Sequence, residues 1–238
     1  MMVAREDKKY KWKKERSNQM NAIDAAKWFI KQGYDTPFNT FDGNMKLQKL
    51  LYFSQLIHLA RTGKFLFNDK VYAFKNGSVV ENVRQRYKNF YILLAEEANA
   101  LEELKFDESE IETLVTTAEI FGNINAKELS TINHLHISWQ KAFEQSKRAN
   151  GYYDKDSSEI SFEAVKKYDL PRVKEMLNAY KTSHDLQESS EVINDVTFYY
   201  DPKELQMTDD IIGRLELFEG IEPSYDIYLD RDLGLVIY

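Results

Sequence analysis

The sequence of 238 residues contains no cysteine and only four histidines. The absence of cysteine excludes disulfide bonds, thiolate catalysis and zinc sites built on sulfur. No apolar run approaches the roughly 20 residues that a membrane-spanning helix needs, and no signal-peptide pattern opens the chain. With 43% hydrophobic and 30% charged residues, the composition is typical of a globular protein, which we expect to be cytoplasmic and without a membrane partner.

Motifs that mark common catalytic sites are also missing. The sequence has no glycine-rich phosphate loop, no G-x-S-x-G and no H-E-x-x-H. His134 and His136 would diverge in a helix and share a face in a strand, so a metal site there would need an added carboxylate. Asp226, Asp230 and Asp232 lack the glycine and the distal glutamate of a calcium loop. We therefore predict a protein that is not an enzyme and that holds no metal or other cofactor.

Charge is distributed unevenly along the chain. Residues 1–20 carry seven basic and three acidic side chains, residues 21–184 are balanced, and residues 185–238 carry 14 acidic and three basic side chains. This asymmetry indicates separate roles for the two ends. We predict a basic flexible arm at 1–19, a helical domain at 20–184 and an acidic α/β appendage at 185–238.

Each charged end has two interpretations. Lysines interleaved with Tyr10 and Trp12 suit phosphate contact and base stacking, so nucleic acid is a possible partner. The favoured interpretation is a disordered tail, or residues that precede a natural start at Met20. The acidic segment after residue 185 would attract a basic partner surface, or its strands would simply complete a core while the acids face water.

Apolar spacing predicts a mainly α fold. Residues 20–184 show the three-to-four-residue repeat of amphipathic helices, separated by glycine-containing turns. After residue 185, "DVTFYY" and "SYDIYLD…LGLVIY" alternate as strands do, and "TDDIIGRLELF" between them has a helical pattern. The predicted architecture is a compact helical domain with a small acidic C-terminal α/β appendage.

The stretch "MKLQKLLYFSQLIHLARTG", Met45 to Gly63, predicts a central core helix, because apolar residues occupy nearly every side of it. Lys49 projects into its longest apolar sector. Such a lysine can reach water past the core, pair inside the protein, or act as an amine with a lowered pKa. We favour pairing, with Glu81 or a loop carbonyl as the partner.

These residues resemble the Panacea domain, the SocA-like antitoxin family. Lys49-Leu50-Leu51-Tyr52 matches its K-L-L-Y core helix, and "AFKNGSVV" matches its A-W-x-x-G-P-V-V turn, with Phe74 in place of Trp and Ser78 in place of Pro. The segment "LSTINHLHISWQKAF" is similar to a later element of the family. The resemblance covers roughly Met20 to Lys181.

The resemblance implies function by binding. Panacea proteins are typically the antitoxin half of bacterial or phage toxin–antitoxin pairs, and they neutralise a toxin protein by direct contact. We expect the toxin to be encoded by an adjacent gene. The alternative is a phage- or prophage-associated adaptor or regulator that acts on host machinery through delivery to proteolysis or nucleic-acid binding.

Two sets of site residues follow from the helix and the turn. The set predicted to lock the core helix to the turn is Lys49, Tyr52, Gly77 and Glu81. The set predicted to bind a partner is Gln48, Gln55, Lys75, Asn76, Arg84, Tyr87, His134 and Trp139.

Overall fold

The computed structural model describes residues 20–102, 106–148, 152–185, 189–202, 204–230 and 233–238. The arm predicted for residues 1–19 lies outside them. The chain divides into two compact units, Met1–Leu177 and Asn178–Tyr238. Each unit has an apolar core of its own.

The first unit is built from helices and one short β-hairpin. Its elements are α1 (Ala22–Lys31), α2 (Phe41–Thr62), β1 (Tyr72–Phe74), β2 (Gly77–Val79), α3 (Glu81–Asn99), α4 (Glu108–Phe121), α5 (Ala126–His134), α6 (Ile137–Ser146), a 3-10 turn (Asp156–Ser158), α7 (Phe162–Ala164), a π-helical turn (Val165–Asp169) and α8 (Leu170–Asp185), which continues into the second unit. The hairpin pairs β1 and β2 in antiparallel register.

Helix α2 is the central element of this unit. Every residue from Lys46 to Leu59 is buried, and the helix packs against α1, α3, α4, α5 and β2. It begins after Thr40, whose hydroxyl accepts the Gly43 N–H at 3.0 Å, and it ends at Gly63 with a left-handed φ of 73°. A helix that is apolar on most sides can only be accommodated inside a ring of neighbours, as observed here.

The second unit is a small sheet with one helix. Its elements are β3 (Ser189–Ile193), β4 (Val196–Tyr200), α9 (Asp209–Glu216), β5 (Ser224–Asp230) and β6 (Gly234–Ile237). The strand order is β3-β4-β5-β6, and only the β4–β5 pair is parallel, with α9 in the crossover between them. Apolar residues from the strands, from α9 and from the loop before α9 meet in a core of Phe198, Leu205, Ile211, Leu215 and Ile227.

The prediction of a mainly α fold is confirmed, since helices make up most of the described chain. None of the helices in the described ranges combines the length and the apolar character that crossing a membrane requires. The functional division into arm, body and appendage stays a prediction.

Candidate functional site

Lys49 is buried beneath the β1–β2 hairpin. Its side chain is 1% exposed, and its Nζ donates a hydrogen bond to the Ser78 carbonyl oxygen at 3.1 Å. The prediction that this lysine is buried and paired with an oxygen of the turn is therefore confirmed. Burial lowers the pKa of Lys49 from 10.5 to about 7, because the ammonium has given up its hydration.

Glu81, the other partner considered for Lys49, pairs elsewhere, so that part of the prediction is wrong. Its carboxylate forms a bidentate contact with Arg84, at 2.6 Å to Nε and 2.8 Å to Nη2, and accepts from Gln85 at 2.9 Å. The Arg84 guanidinium lowers the pKa of Glu81. Glu81 opens α3, so its nearest cation is the arginine one turn later on the same helix.

The hairpin approaches α2 and α5 too closely for any side chain at Gly77. Gly77 has a φ of 102°, and a Cβ there would lie 2.3 Å from Asn133 Oδ1 and 2.5 Å from Lys49 Cε. Asn133 is fully buried and holds Ser78 twice, accepting its backbone N–H and donating from Nδ2 to its hydroxyl at 3.0 Å. Ser130 adds a bond to the Asn76 carbonyl at 2.9 Å. Hydrogen bonds from α5 therefore fix the conformation of the turn.

These contacts explain how the turn is fixed without the proline that the resembled family usually has at the position of Ser78. Proline would fix φ but would offer no backbone N–H. Here the N–H and the hydroxyl of Ser78 are both bonded to Asn133, and its carbonyl is bonded to Lys49. Side chains from α2 and α5 therefore fix the turn, which a proline ring at this position would otherwise do.

Gln48 connects α2 to the start of α3. Its Oε1 accepts the Val80 N–H at 2.8 Å, and its Nε2 donates to Asn44 Oδ1 at 3.2 Å. Asn44 in turn donates to the Arg84 carbonyl at 3.1 Å. Val80 is the residue before α3, and its own side chain offers no cap. The glutamine amide therefore satisfies one backbone group and fixes the entry of the chain into α3.

A cavity of about 480 Å³ lies beside Gln48 and Lys49. Its lining residues come from the loop before α2, the start of α2, the hairpin and the first turns of α3: Asn39, Thr40, Phe41, Asn44, Met45, Gln48, Lys49, Phe74, Lys75, Asn76, Val79, Arg84, Tyr87 and Lys88. Four of them are basic, and no described lining residue is acidic.

Five of the eight residues in the predicted partner-binding set line this cavity: Gln48, Lys75, Asn76, Arg84 and Tyr87. Lys75 and Asn76 are exposed at the tip of the hairpin. The Arg84 guanidinium lies 5.6 Å from the centroid of the Phe74 ring. Tyr87 is buried, and its hydroxyl donates to Asp35 Oδ2 at 2.8 Å. Burial, and after it the bond to Asp35, raises the pKa of the phenol.

The other three residues of that set lie outside the lining. Gln55 is buried and bonds the loop after α2, accepting from Leu66 N and Phe67 N and donating to Phe67 O. Trp139 is also buried, donates to the Phe74 carbonyl at 3.3 Å, and stacks on His134 with ring centroids 4.1 Å apart. Trp139 therefore supports the hairpin, and Gln55 supports the loop after α2.

Tyr52, from the predicted lock, joins a different network. Its hydroxyl lies 3.0 Å from His136 Nδ1 and 3.3 Å from Ser138 Oγ. The Asp169 carboxylate accepts the N–H groups of Ile137 and Ser138 at 2.8 and 3.1 Å, which caps α6. Tyr52 therefore ties α2 to α6, and its hydroxyl also interacts with the Ser78 side chain of the hairpin.

Sequence reasoning missed Asn39, Phe41 and Lys88, which all line the cavity. Lys88 follows Arg84 by four residues on α3, so the helical repeat was a signal that could have found it. Phe41 is 70% exposed and precedes the apolar run of the central helix, where no periodicity singles it out.

Exposed apolar side chains also occur on α3 beyond the cavity. Asn39 and Lys88 line both the cavity and a neighbouring hollow that contains Phe90, Ile92 and Leu93. Phe90 departs from helical geometry, with φ −141° and ψ 40°, so α3 is kinked there. We call the exposed side chains of Phe41, Phe90, Ile92 and Leu93 the apolar rim; they are 70%, 61%, 72% and 51% exposed.

In the described ranges, no group of three or more His, Asp or Glu side chains is arranged to hold a metal ion. Comparison with protein families supports the resemblance seen in the sequence: residues 47–140 match the model described as antitoxin SocA-like, Panacea domain. This segment runs from α2 through the hairpin to α6. No curated protein and no solved structure matches the chain.

Proposed function

We propose that this chain, whose residues 47–140 match the antitoxin SocA-like Panacea domain, is the antitoxin of a toxin–antitoxin pair. It neutralises a toxin protein by direct binding. The family match is the observation that carries the proposal. Its partner is the product of an adjacent gene, and both proteins act in the cytoplasm. The family also points to a role in binding and not in catalysis.

The apolar rim and the basic cavity beside it are the proposed toxin-binding face. Protein interfaces combine exposed aromatic and aliphatic anchors with arginine and a polar surround. The rim supplies two phenylalanines and two aliphatic side chains, and the cavity supplies Lys75, Arg84 and Lys88 next to them. Exposed apolar residues that share one hollow, as Phe90, Ile92 and Leu93 do, support an interaction role.

Lys49, Gly77 and Asn133 serve this face by fixing the hairpin that carries Lys75 and Asn76. Lys49 and Asn133 are buried, and both bond Ser78. In the proposal they are structural residues that present the turn in one conformation. A fixed turn lowers the conformational cost of binding.

The acidic segment 185–238 contributes to partner choice in this proposal. Its net charge of −11 follows from 14 acidic and three basic side chains. Such a charge would attract a toxin with a basic surface and raise the association rate, and this effect would weaken as salt is added.

Co-expression with the adjacent gene product tests the proposed function. That product should arrest growth when expressed alone, and co-expression of this chain should restore growth. The double variant Ile92→Asp, Leu93→Asp should lose protection, because it places two carboxylates in the apolar rim. Leu135→Asp is the matched control, since Leu135 is 61% exposed and lies outside the rim.

The proposal is contradicted if the adjacent gene product is harmless when expressed alone, or if co-expression of this chain does not relieve its toxicity. Full protection by the Ile92→Asp, Leu93→Asp variant would instead show that the toxin binds another face.

A further inference from the structure

The charged side chains that line the cavity in the described part of the chain are all basic. Lys49, Lys75, Arg84 and Lys88 line it. The charge of Arg84 is offset by its bidentate contact with Glu81. Lys75 and Lys88 form no salt bridge with any residue in the described ranges. The cavity therefore holds positive charge for which the described part of the chain supplies no counterion.

Lys49 adds a second, independent observation. An ammonium has three donors, and the described residues give this one a single acceptor, the Ser78 carbonyl at 3.1 Å. Desolvation lowers its pKa, and no carboxylate in the described part of the chain acts against that effect. A buried cation without a counterion is costly, so an anion bound beside it would be stabilised.

The remaining walls are apolar or carry amides. Phe41, Met45, Phe74 and Val79 supply the apolar surface, and the amides of Asn39 and Asn76 are exposed. The volume of about 480 Å³ falls within the roughly 300–1,000 Å³ of pockets that hold small molecules. Aromatic side chains beside basic ones suit a flat ring that carries a charged group.

We propose that this cavity is a binding site for a small organic phosphate with a flat ring system, the chemistry of a mononucleotide. Lys75 and Lys88 hold the phosphate, with Lys49 as the buried cation nearest the hairpin, and Phe41 and Phe74 contact the ring. A phosphate suits this site better than a single carboxylate, because its charge approaches −2 at neutral pH. The proposal goes beyond the antitoxin function and does not depend on it, since the chain alone holds the site.

Calorimetric titration of the purified full-length chain with AMP and with GMP tests the proposal. Adenosine and inorganic phosphate, titrated separately, measure the contribution of each half of the ligand. The test variant is Lys75→Ala, Lys88→Ala, in which both lysines are exposed, so the fold should persist and thermal unfolding verifies it. The control is Lys127→Ala, an exposed lysine of α5 outside the cavity.

We expect saturable binding of AMP or GMP, weakened at least about tenfold by the double variant and unchanged by the control. Adenosine alone and phosphate alone should bind more weakly than the intact nucleotide. Absence of binding by both nucleotides overturns the proposal. So does adenosine that binds as tightly as AMP, or an equal loss of affinity in the double variant and in Lys127→Ala.

Discussion

The buried Lys49 should make the stability of this protein depend on pH in a way that one substitution removes. Burial lowers its pKa from 10.5 to about 7 in the folded chain, while the unfolded chain keeps the higher value. Between these two pH values the unfolded state binds a proton that the folded state has released, so stability rises with pH across that window. Below the folded pKa both states bind the proton, and the folded state carries the cost of a buried ammonium.

Lys49→Met keeps the volume of the side chain and has no proton to lose. Because one pKa unit corresponds to about 1.4 kcal/mol, the free energy of unfolding of wild type should rise relative to Lys49→Met by about 4 kcal/mol between about pH 6.5 and about pH 10. Near neutral pH the variant should be tolerated or mildly destabilised, since apolar replacement of a buried ionic group is often close to neutral. The other titrating groups are common to both proteins, although the charge of Lys49 also contributes to the lowered pKa of His134.

Urea unfolding followed by circular dichroism at a series of pH values measures this difference directly. Lys49→Ala provides a second comparison: it should cost on the order of 3 kcal/mol near neutral pH, because it loses packing and leaves the Ser78 carbonyl without its donor. A difference between wild type and Lys49→Met that stays constant with pH would refute the reasoning, because it would mean that the lysine has the same pKa in both states.

Three further predictions concern the hairpin and the second unit. In thermal unfolding, Gly77→Ala should destabilise the folded protein by more than about 2 kcal/mol, because φ is positive there and the new Cβ would collide with Asn133. Gly33→Ala is the control: φ is also positive, but no atom lies within 4 Å of the new Cβ, so it should cost about 1 kcal/mol. Asn133→Ala should cost about 1–3 kcal/mol in urea unfolding, because it leaves the buried N–H of Ser78 without an acceptor; no loss would show that water replaces the amide. Removal of residues 186–238 should leave a body with cooperative unfolding but weakened neutralisation, and a body that unfolds, or that neutralises fully, would contradict the recognition role of the acidic segment.

The central helix shows how far a sequence pattern can reach. The helical repeat of Met45 to Gly63 predicted a core helix and placed Lys49 in its apolar sector, and both are confirmed. The repeat gives only the direction in which a side chain points, so it left Glu81 and a turn carbonyl as equal candidates. The choice between them depended on Arg84, which takes the Glu81 carboxylate.

Gln48 and Gln55 show the opposite case. Both lie on a narrow polar stripe of α2, which on a surface helix would face a partner. In the structure both are buried, and both bond backbone groups of the chain segments that cross the helix. A polar stripe on a core helix serves the backbone of neighbouring loops, and the positions of those loops are tertiary information that no local pattern contains.

The cavity was predictable only in part, because its wall is assembled from four separate segments. Lys75, Asn76 and Arg84 were identified through the turn and the helix after it, whereas Asn39 and Phe41 reach the same cavity from the loop before α2 and from its first residue. That proximity depends on how the loop folds back over α3, where the Asn39 N–H donates to the Tyr87 hydroxyl at 3.0 Å.

The measurement that tests the central claim most directly is a calorimetric titration of this chain with the purified product of its adjacent gene, once that product is shown to be toxic alone. The account predicts saturable binding that the Ile92→Asp, Leu93→Asp variant abolishes and that Leu135→Asp leaves unchanged. A toxic neighbour that gives no binding to the wild-type chain would contradict neutralisation by direct contact.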